Sequence, residues 1–229
     1  MSINRILEPE VMDSAAEAAD YDSMDHAEVN RKFVEDLLTA ISPSPESPSL
    51  LDILDLGTGT AQIPIQLCKS FPDCRIMAAD AAVNMLDLAR YNVEVNSLTE
   101  RIELAHIDAK KLPFPEGMFD VVMSNSIVHH IPEPIHVLRE AARVIRPGGL
   151  LFFRDLLRPD SESALQQLVA TYTAGANEHQ QRMFAESLHA ALSLDEIREL
   201  VASLGFAPTE VQATSDRHWT WSAMASEHV

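Results

Sequence analysis

The run Gly57-Thr58-Gly59-Thr60 directly follows the apolar stretch Leu51–Leu56, and Ala61–Lys69 then reads as a helix. Glycines at a strand end let the backbone turn sharply and come close to a ligand. Strand, glycine turn, helix is the layout of a nucleotide-type site at the carboxyl end of a sheet strand. A dinucleotide calls for G-x-G-x-x-G, but Gln62 stands at the third glycine position. No G-x-x-x-x-G-K-S/T phosphate loop occurs, and Tyr21, Tyr91 and Tyr172 are followed four residues later by Asp25, Val95 and Ala176, so no Tyr-x-x-x-Lys pair exists either. A ligand without a pyrophosphate suits this turn better. Further along, Asp80 and Asp108 are acids able to accept from hydroxyl or amino donors. The adjacent pair His129 and His130 can move protons, and Arg154-Asp155 offers a charge of each sign.

These residues fall at the ends of regularly alternating elements. The apolar pattern predicts strands over 51–56, 75–79, 102–107, 119–124 and 150–153, with helices over 61–70, 84–96 and 134–145, the last stopped by Pro147-Gly148-Gly149. Alternation of this kind calls for a mostly parallel sheet covered on both faces. Ahead of it, residues 30–41 read as an amphipathic helix with Val29, Phe33, Leu37 and Ile41 on one stripe, and the proline-rich stretch SPSPESPS at 42–49 reads as a linker. Behind it, 161–191 looks helical throughout and is expected to be an inserted cap. Ser193 and Glu196 make a capping box for a helix that Gly205 ends. The segments 207–213 and 218–223 close the sheet as an antiparallel pair. Trp219 and Trp221 share a face of the last strand, for core packing. The α/β chain therefore divides into lid helices and linker over 1–49 and a Rossmann-like seven-stranded core over 50–229.

The 229 residues are 46% hydrophobic, enough for one domain with a substantial core. The formal net charge of −18 argues against a nucleic-acid backbone or an anionic membrane as partner. Cys68 and Cys74 belong to no metal-type cluster; a disulfide across their short loop stays open, and two reduced thiols in a cytosolic protein are the expected state. The N-terminal residues carry no secretory-type apolar core, and no run of about 18 apolar residues exists to span a membrane. A cytoplasmic location, no resident metal and a small-molecule partner are expected.

Five motifs in order, DLGTGTA at 55–61, Asp80 after the second strand, Asp108-Ala109 after the third, SNSIVHHIPEP at 124–134 and RVIRPGGLLFF at 143–153, resemble those of class I S-adenosylmethionine-dependent methyltransferases. The resemblance covers 51–155 and, more thinly, the C-terminal strand pair. It implies that Gly57, Thr58, Gly59 and Thr60 pass under the methionine part of S-adenosylmethionine and that Asp55 reaches its ammonium group. It places Asp80, with Ala81 beside it, on the ribose hydroxyls, Met85 against the adenine, and Asp108 and Ala109 on the adenine edge. An acidic pocket suits a sulfonium cation. The predicted activity is methyl transfer to a small molecule, at oxygen or carbon by preference, through an in-line displacement that depends on proximity.

For the acceptor side, His129 or His130 is the candidate base; the plain alternative is that one packs and the other bonds backbone. Asn125 and Ser126 either bind the cofactor or cap their turn. Arg154 and Asp155 either orient a polar substrate or, for Arg154, make a surface salt bridge. Tyr21, Met24 and His26 are expected in a lid over the substrate, or else in a solvated acidic tail. The missing N/D-P-P-Y type motif lowers a base or amide nitrogen as acceptor, and the lack of a third cysteine lowers arsenic. Two other classes fit the same alternation: an NAD(P)-dependent oxidoreductase on a similar sheet, and a non-catalytic protein that only binds S-adenosylmethionine.

Overall fold

A computed structural model describes residues 3–8, 22, 27–41 and 50–226. The linker expected at 42–49 lies outside them, as do Tyr21, Met24 and His26. Seven strands, β1 (Leu51–Leu56), β2 (Cys74–Asp80), β3 (Ile102–His106), β4 (Phe119–Asn125), β5 (Ile145–Leu156), β6 (Val211–Ala213) and β7 (His218–Met224), form one sheet in the order β3-β2-β1-β4-β5-β7-β6. β1 runs parallel to β2 and β4, and β2 to β3, while β6 and β7 are antiparallel as expected. Among the described residues, a larger compact unit holds 22–125, 136–153 and 222–226, and a smaller one holds 3–8, 126–135 and 154–221.

In the larger unit the helices are α1 (Ala27–Ala40), α2 (Gln62–Ser70), α3 (Val83–Val95) and α4 (Ile135–Val144), the last beginning one residue before the unit's second segment. Leu56 of β1 stands level with Ala79 on one side and Ser124 on the other. That register brings the residues just past three strand ends to one edge. The core is made by β1, with Ile53, Leu54 and Leu56 fully buried, and by α1, whose Phe33 and Leu37 are fully buried. The Phe33 ring meets Phe152 of β5 edge-on at 5.2 Å. Each such side chain contributes roughly 1.5–3 kcal/mol on leaving water. The buried stripe of α1 is Asn30, Phe33, Val34 and Leu37; Phe33 and Leu37 lie on it as predicted, while Val29 and Ile41 are half-buried.

One expected boundary is corrected here. Residues 145–149 are not a helix end and turn but the first part of β5. Gly148 adopts φ +72° and donates to the Ala225 carbonyl at 2.8 Å, and Ala225 N–H returns to the Gly149 carbonyl at 2.8 Å. A Cβ on Gly149 would lie 2.7 Å from the Ile145 side chain. The glycines thus serve close pairing within the strand.

The smaller unit carries α5 (Glu162–Tyr172), α6 (Glu178–Ala190) and α7 (Leu194–Ser203). The stretch 161–191 is two helices, not one: Gly175 at φ +88° breaks it, and Asn177 and Gln180 form a reciprocal capping box that starts α6. Ser193 and Glu196 cap α7 as predicted. The strand expected from 207 starts only at Val211. Pro208 lacks a donor for a ladder, and Glu210 instead accepts from Ala207 N–H at 3.0 Å in a short 3₁₀ turn. Leu156, Leu165, Leu168, Leu188 and Ala191 make this unit's own cluster, joined by Ile3. Trp219 and Trp221 are fully buried. No described helix is long and apolar enough to cross a membrane.

Candidate active site

The glycine turn is wound by alternate left-handed residues: Gly57 at φ +73°, Gly59 at +55° and Ala61 at +63°. Both Gly57 N–H and Thr58 N–H donate to the Ala79 carbonyl, at 2.9 and 3.0 Å, which draws the turn toward β2. Asp80 then grips it from the side. Its Oδ2 accepts from Gly59 N–H at 2.7 Å and its Oδ1 from Ala82 N–H at 2.8 Å. Ala61 is a left-handed residue without glycine's freedom, and strain of that kind persists where the surroundings over-determine it; here it is fully buried at the mouth of α2.

Inside the turn lies a small polar cleft lined by Asn30, Asp55, Gly57, Thr58, Thr60, Gln62, Ile63 and Asn125. Four of its buried side-chain atoms, Asp55 Oδ2, Thr58 Oγ1, Thr60 Oγ1 and Asn125 Oδ1, have no hydrogen-bond partner among the described residues. Folded proteins satisfy the large majority of such atoms, so four in one cleft mark a surface built for a polar ligand. Burial, reinforced by the charge of Asp80 and only partly offset by Thr58, pushes the Asp55 carboxyl up to about 7. A cation placed there would reverse that cost. The set is rich in acceptors, which matches an ammonium or sulfonium ligand and not a phosphate.

Gln62 explains its own departure from the dinucleotide pattern. Its side chain accepts from Asn30 Nδ2 at 3.2 Å and donates to Asp22 at 3.1 Å. Asn92 of α3 donates to the same Asp22 oxygen at 3.2 Å and to the Thr60 carbonyl at 3.1 Å. Asn30, Gln62 and Asn92 were not among the predicted site residues. The only signal for them was polarity on otherwise apolar helix faces. Of the segment expected as a lid, Asp22 is the described member, and it bonds to two residues flanking the glycine turn.

The other predicted cofactor residues are placed as follows. Met85 is buried against Ala82, Ala81 is exposed, and its carbonyl accepts from His106 Nε2 at 3.0 Å. Asp108 is exposed and accepts from the Lys110 backbone N–H at 2.9 Å, with Lys110 Nζ at 3.1 Å. Burial alone would raise its carboxyl, but those bonds and that charge hold it below the ordinary aspartate range. Ala109 is half-buried beside it. Asn125 belongs with the cleft, whereas Ser126, at φ +62° with its N–H on the Arg154 carbonyl at 2.9 Å, belongs to the smaller unit.

The smaller unit holds the histidines. The Asp155 carboxylate is fully buried and receives four donors: Val128 N–H at 2.6 Å and His129 N–H at 3.3 Å on one oxygen, His129 Nδ1–H at 2.5 Å and Leu156 N–H at 2.6 Å on the other. Burial works against its charge, but His129 and the backbone donors hold the carboxyl below its usual range. Burial likewise works against a charged His129; Asp155 and Glu8 outweigh it and raise the imidazole. With Nδ1 given to Asp155, Nε2 of His129 faces Glu8 Oε1 at 3.4 Å. His130 Nδ1 lies 3.0 Å from the same oxygen, and the two rings sit 4.1 Å apart. Ser187 donates to the other Glu8 oxygen at 3.2 Å. Glu8 is held low despite burial, chiefly by His130 and His129. Arg5 fixes the strap that carries Glu8, donating to the carbonyls of Ala190 at 2.7 Å, Ile131 at 2.9 Å and His129 at 3.2 Å.

Two expectations for this unit are corrected. Asp155 does not meet a polar substrate directly, because its oxygens are engaged by the loop 128–129 and its own strand; it positions His129. Arg154 is not on the surface but buried, with Nε on Thr220 Oγ1 at 2.9 Å. The two histidines, equivalent in the sequence, are distinct: His129 is locked and buried, His130 half-buried. Glu8 was not singled out at all, since nothing local in the sequence links it to residues more than a hundred positions away.

Comparison with known proteins fits this site. Residues 54–153 match the family described as a methyltransferase domain. A malonyl-[acyl-carrier protein] O-methyltransferase of Geobacter sulfurreducens is 30% identical over 194 residues, 85% of this chain and 68% of that protein. A 27-O-demethylrifamycin SV methyltransferase of Amycolatopsis mediterranei is 28% identical over 174 residues, 75% of this chain but only 60% of that one. The solved structure of an S-adenosylmethionine-dependent methyltransferase from Aquifex aeolicus shares the fold, with a TM-score of 0.63 at 17% identity over 93% of this chain and 98% of that one. A dinucleotide oxidoreductase is thereby set aside. Glycine turn, paired acids, acceptor-rich cleft and an O-methyltransferase relative across most of the chain agree, and the chain belongs to the class I S-adenosylmethionine-dependent methyltransferases.

Proposed function

We propose that this protein transfers the methyl group of S-adenosylmethionine to a small-molecule acceptor, at oxygen first and at carbon second. The observation that carries the reading is the cleft of four unpartnered polar atoms around Asp55, beside a glycine turn gripped by Asp80. When bound, S-adenosylmethionine supplies an electrophilic methyl group on a positively charged sulfur. Asp55 and the hydroxyls of Thr58 and Thr60 take the ammonium end, where a cation relieves the cost of ionising Asp55. Asn125 Oδ1 adds a neutral acceptor. Asp80 accepts from the ribose hydroxyls; a carboxylate has about four acceptor positions, so this is compatible with its hold on Gly59 and Ala82. Met85 packs on the adenine, Ala109 N–H faces its ring nitrogen and Asp108 its amino group. Asp22, bonded to Gln62 and Asn92, borders the cleft from the N-terminal side.

On the acceptor side, His129 and His130 handle the proton that an oxygen acceptor gives up, and Asp155 keeps His129 in one tautomer. One relative is by its printed name an O-methyltransferase of malonyl-[acyl-carrier protein], and another is a methyltransferase whose printed substrate is 27-O-demethylrifamycin SV; both support oxygen as the acceptor atom, and the second supports a small acceptor. Calorimetry with S-adenosylhomocysteine tests the cofactor half: the protein should bind it, and Asp80→Ala should weaken binding by about 1–3 kcal/mol, roughly fivefold or more. No binding by the unsubstituted protein at high micromolar ligand would end the proposal. Transfer of labelled methyl to hydroxyl- and carboxyl-bearing small molecules tests the acceptor class.

A further inference from the structure

Glu8 Oε1, His129 Nε2 and His130 Nδ1 converge within the smaller unit, all lying within 4.8 Å of one another. Two of the separations are 3.4 and 3.0 Å. Three ligands about 2.0–2.1 Å from a common metal centre stand about 3.0–3.4 Å apart in octahedral or tetrahedral geometry. We propose that Glu8, His129 and His130 form a binding site for a divalent first-row transition metal of the zinc class.

Three further features support the site. First, Asp155 accepts a hydrogen bond from His129 Nδ1–H, which leaves Nε2 of the neutral ring as the lone-pair nitrogen turned toward Glu8. A carboxylate behind a metal-binding histidine is the usual way of fixing ring and tautomer, and Asp155 is itself held by three backbone N–H groups. Second, Glu8 Oε1 and His130 Nδ1 are buried and, although 3.0 Å apart, make no hydrogen bond of acceptable geometry among the described residues. A plain ion pair would align them; a shared cation between them needs no such alignment. Third, the ligand-bearing pieces are tied in place from behind, Glu8 by Ser187 and the 129–131 backbone by Arg5. Arg5 is the cation closest in role to a competitor, but its donors are spent on carbonyls, and its charge is balanced by Glu196 and Asp155.

Two imidazoles and one carboxylate suit zinc, cobalt, nickel or iron and are a poor set for magnesium or calcium, which prefer all-oxygen ligands. Three protein ligands leave coordination positions open for water or for an oxygen of a small molecule. An acceptor hydroxyl bound there would release its proton to solvent nearer neutral pH, and with the ion bound His129 and His130 act as its ligands in place of carrying the proton themselves. That role rests on the methyl-transfer reading; the site itself does not.

The test is therefore made without cofactor or acceptor. Purified full-length protein, stripped with a chelator, is titrated with Co²⁺ and followed by its visible absorption and by calorimetry, then with Zn²⁺ in competition. One ion per chain should bind at micromolar or lower Kd, with a spectrum of four- to five-coordinate cobalt. Glu8→Gln and His130→Ala, both on half-buried residues, should each weaken binding at least tenfold, while their melting temperatures without metal and their affinity for S-adenosylhomocysteine stay unchanged. His129→Ala is avoided because it would strand the buried Asp155. Absence of a one-to-one ion below about 100 µM, or equal affinity in both variants, would overturn the metal site and leave an ion pair of Glu8 with the histidines. Failure of S-adenosylhomocysteine to bind would strike the methyltransferase reading instead, so the two outcomes separate.

Discussion

Asp55 gives the sharpest test of how the cleft is built. Its carboxyl is 2% exposed and is pushed from an ordinary value of 3.8 up to about 7. In the unfolded chain it ionises near 3.8; in the folded protein it keeps its proton until about 7. The unfolded state therefore sheds a proton first as pH rises, and the folded state loses stability across that window. The difference is about three pH units at roughly 1.4 kcal/mol each, an upper figure of about 4 kcal/mol above pH 7. Asp55→Asn keeps the shape and removes the titration. The free variant should be more stable than the unsubstituted protein at pH 8 by up to that amount, and no more stable at pH 4. Urea unfolding at several pH values measures it, the slopes of stability against pH diverging between about 4 and 7. The same substitution should weaken S-adenosylmethionine binding at least tenfold by removing the charge that faces the ammonium group. Near pH 7 the unsubstituted protein should release about half a proton on binding, seen as a buffer-dependent heat, and the variant none. Parallel pH slopes and equal stability at pH 8 would refute the reasoning, because the carboxylate would then carry no burial cost for a ligand to relieve.

Other substitutions probe single features. Ala61→Val puts a β-branched residue at φ +63° in a fully buried position and should cost more than about 2 kcal/mol by thermal melt; a neutral result would mean the turn adapts freely. Asn177→Ala removes the cap of α6 and should cost about 1 kcal/mol, read from chemical unfolding, with cofactor affinity untouched. Cys68 and Cys74 are buried and reduced, with their sulfurs 3.9 Å apart; a thiol reagent should label neither in the native protein and both after denaturation. Rapid native labelling would show that this corner of the larger unit opens readily.

Local physics made much of the fold readable. β1 stands in the sequence because a strand buried on both faces must be apolar along its length, and Ser193 with Glu196 announces α7 because a capping box is a contact between neighbours in the chain. Asp80 was readable as a strand-end acid, and its grip on Gly59 gives that position a structural duty as well. Features that depend on distant partners were not readable. Glu8 looks like any acidic residue near a terminus, and only the fold brings it to His129. Arg154 and Asp155 looked like edge residues because their strand was read as ending at Phe153, whereas β5 continues to Leu156 and encloses them. The break at Gly175 was overridden by the helix-forming residues on both sides, although Asn177 and Gln180 already carried the signal of a new start. Gln62 was understood only as a missing glycine; its positive use, joining Asn30 and Asp22, needed two side chains thirty to forty positions upstream.

The strap that bears Arg5 and Glu8 has a consequence for the order in which the protein is made. Arg5 bonds to a carbonyl 185 residues later, and Glu8 to a hydroxyl 179 residues later. At roughly 5–20 residues per second of synthesis, these residues wait about 10–40 s for the helix they dock on. By then the strands from β1 to β5 and the glycine turn have long been exposed. The carboxylate beside the histidines therefore docks last, as a closing stitch, and the nascent chain holds the glycine turn and its polar cleft before it has a finished histidine cluster.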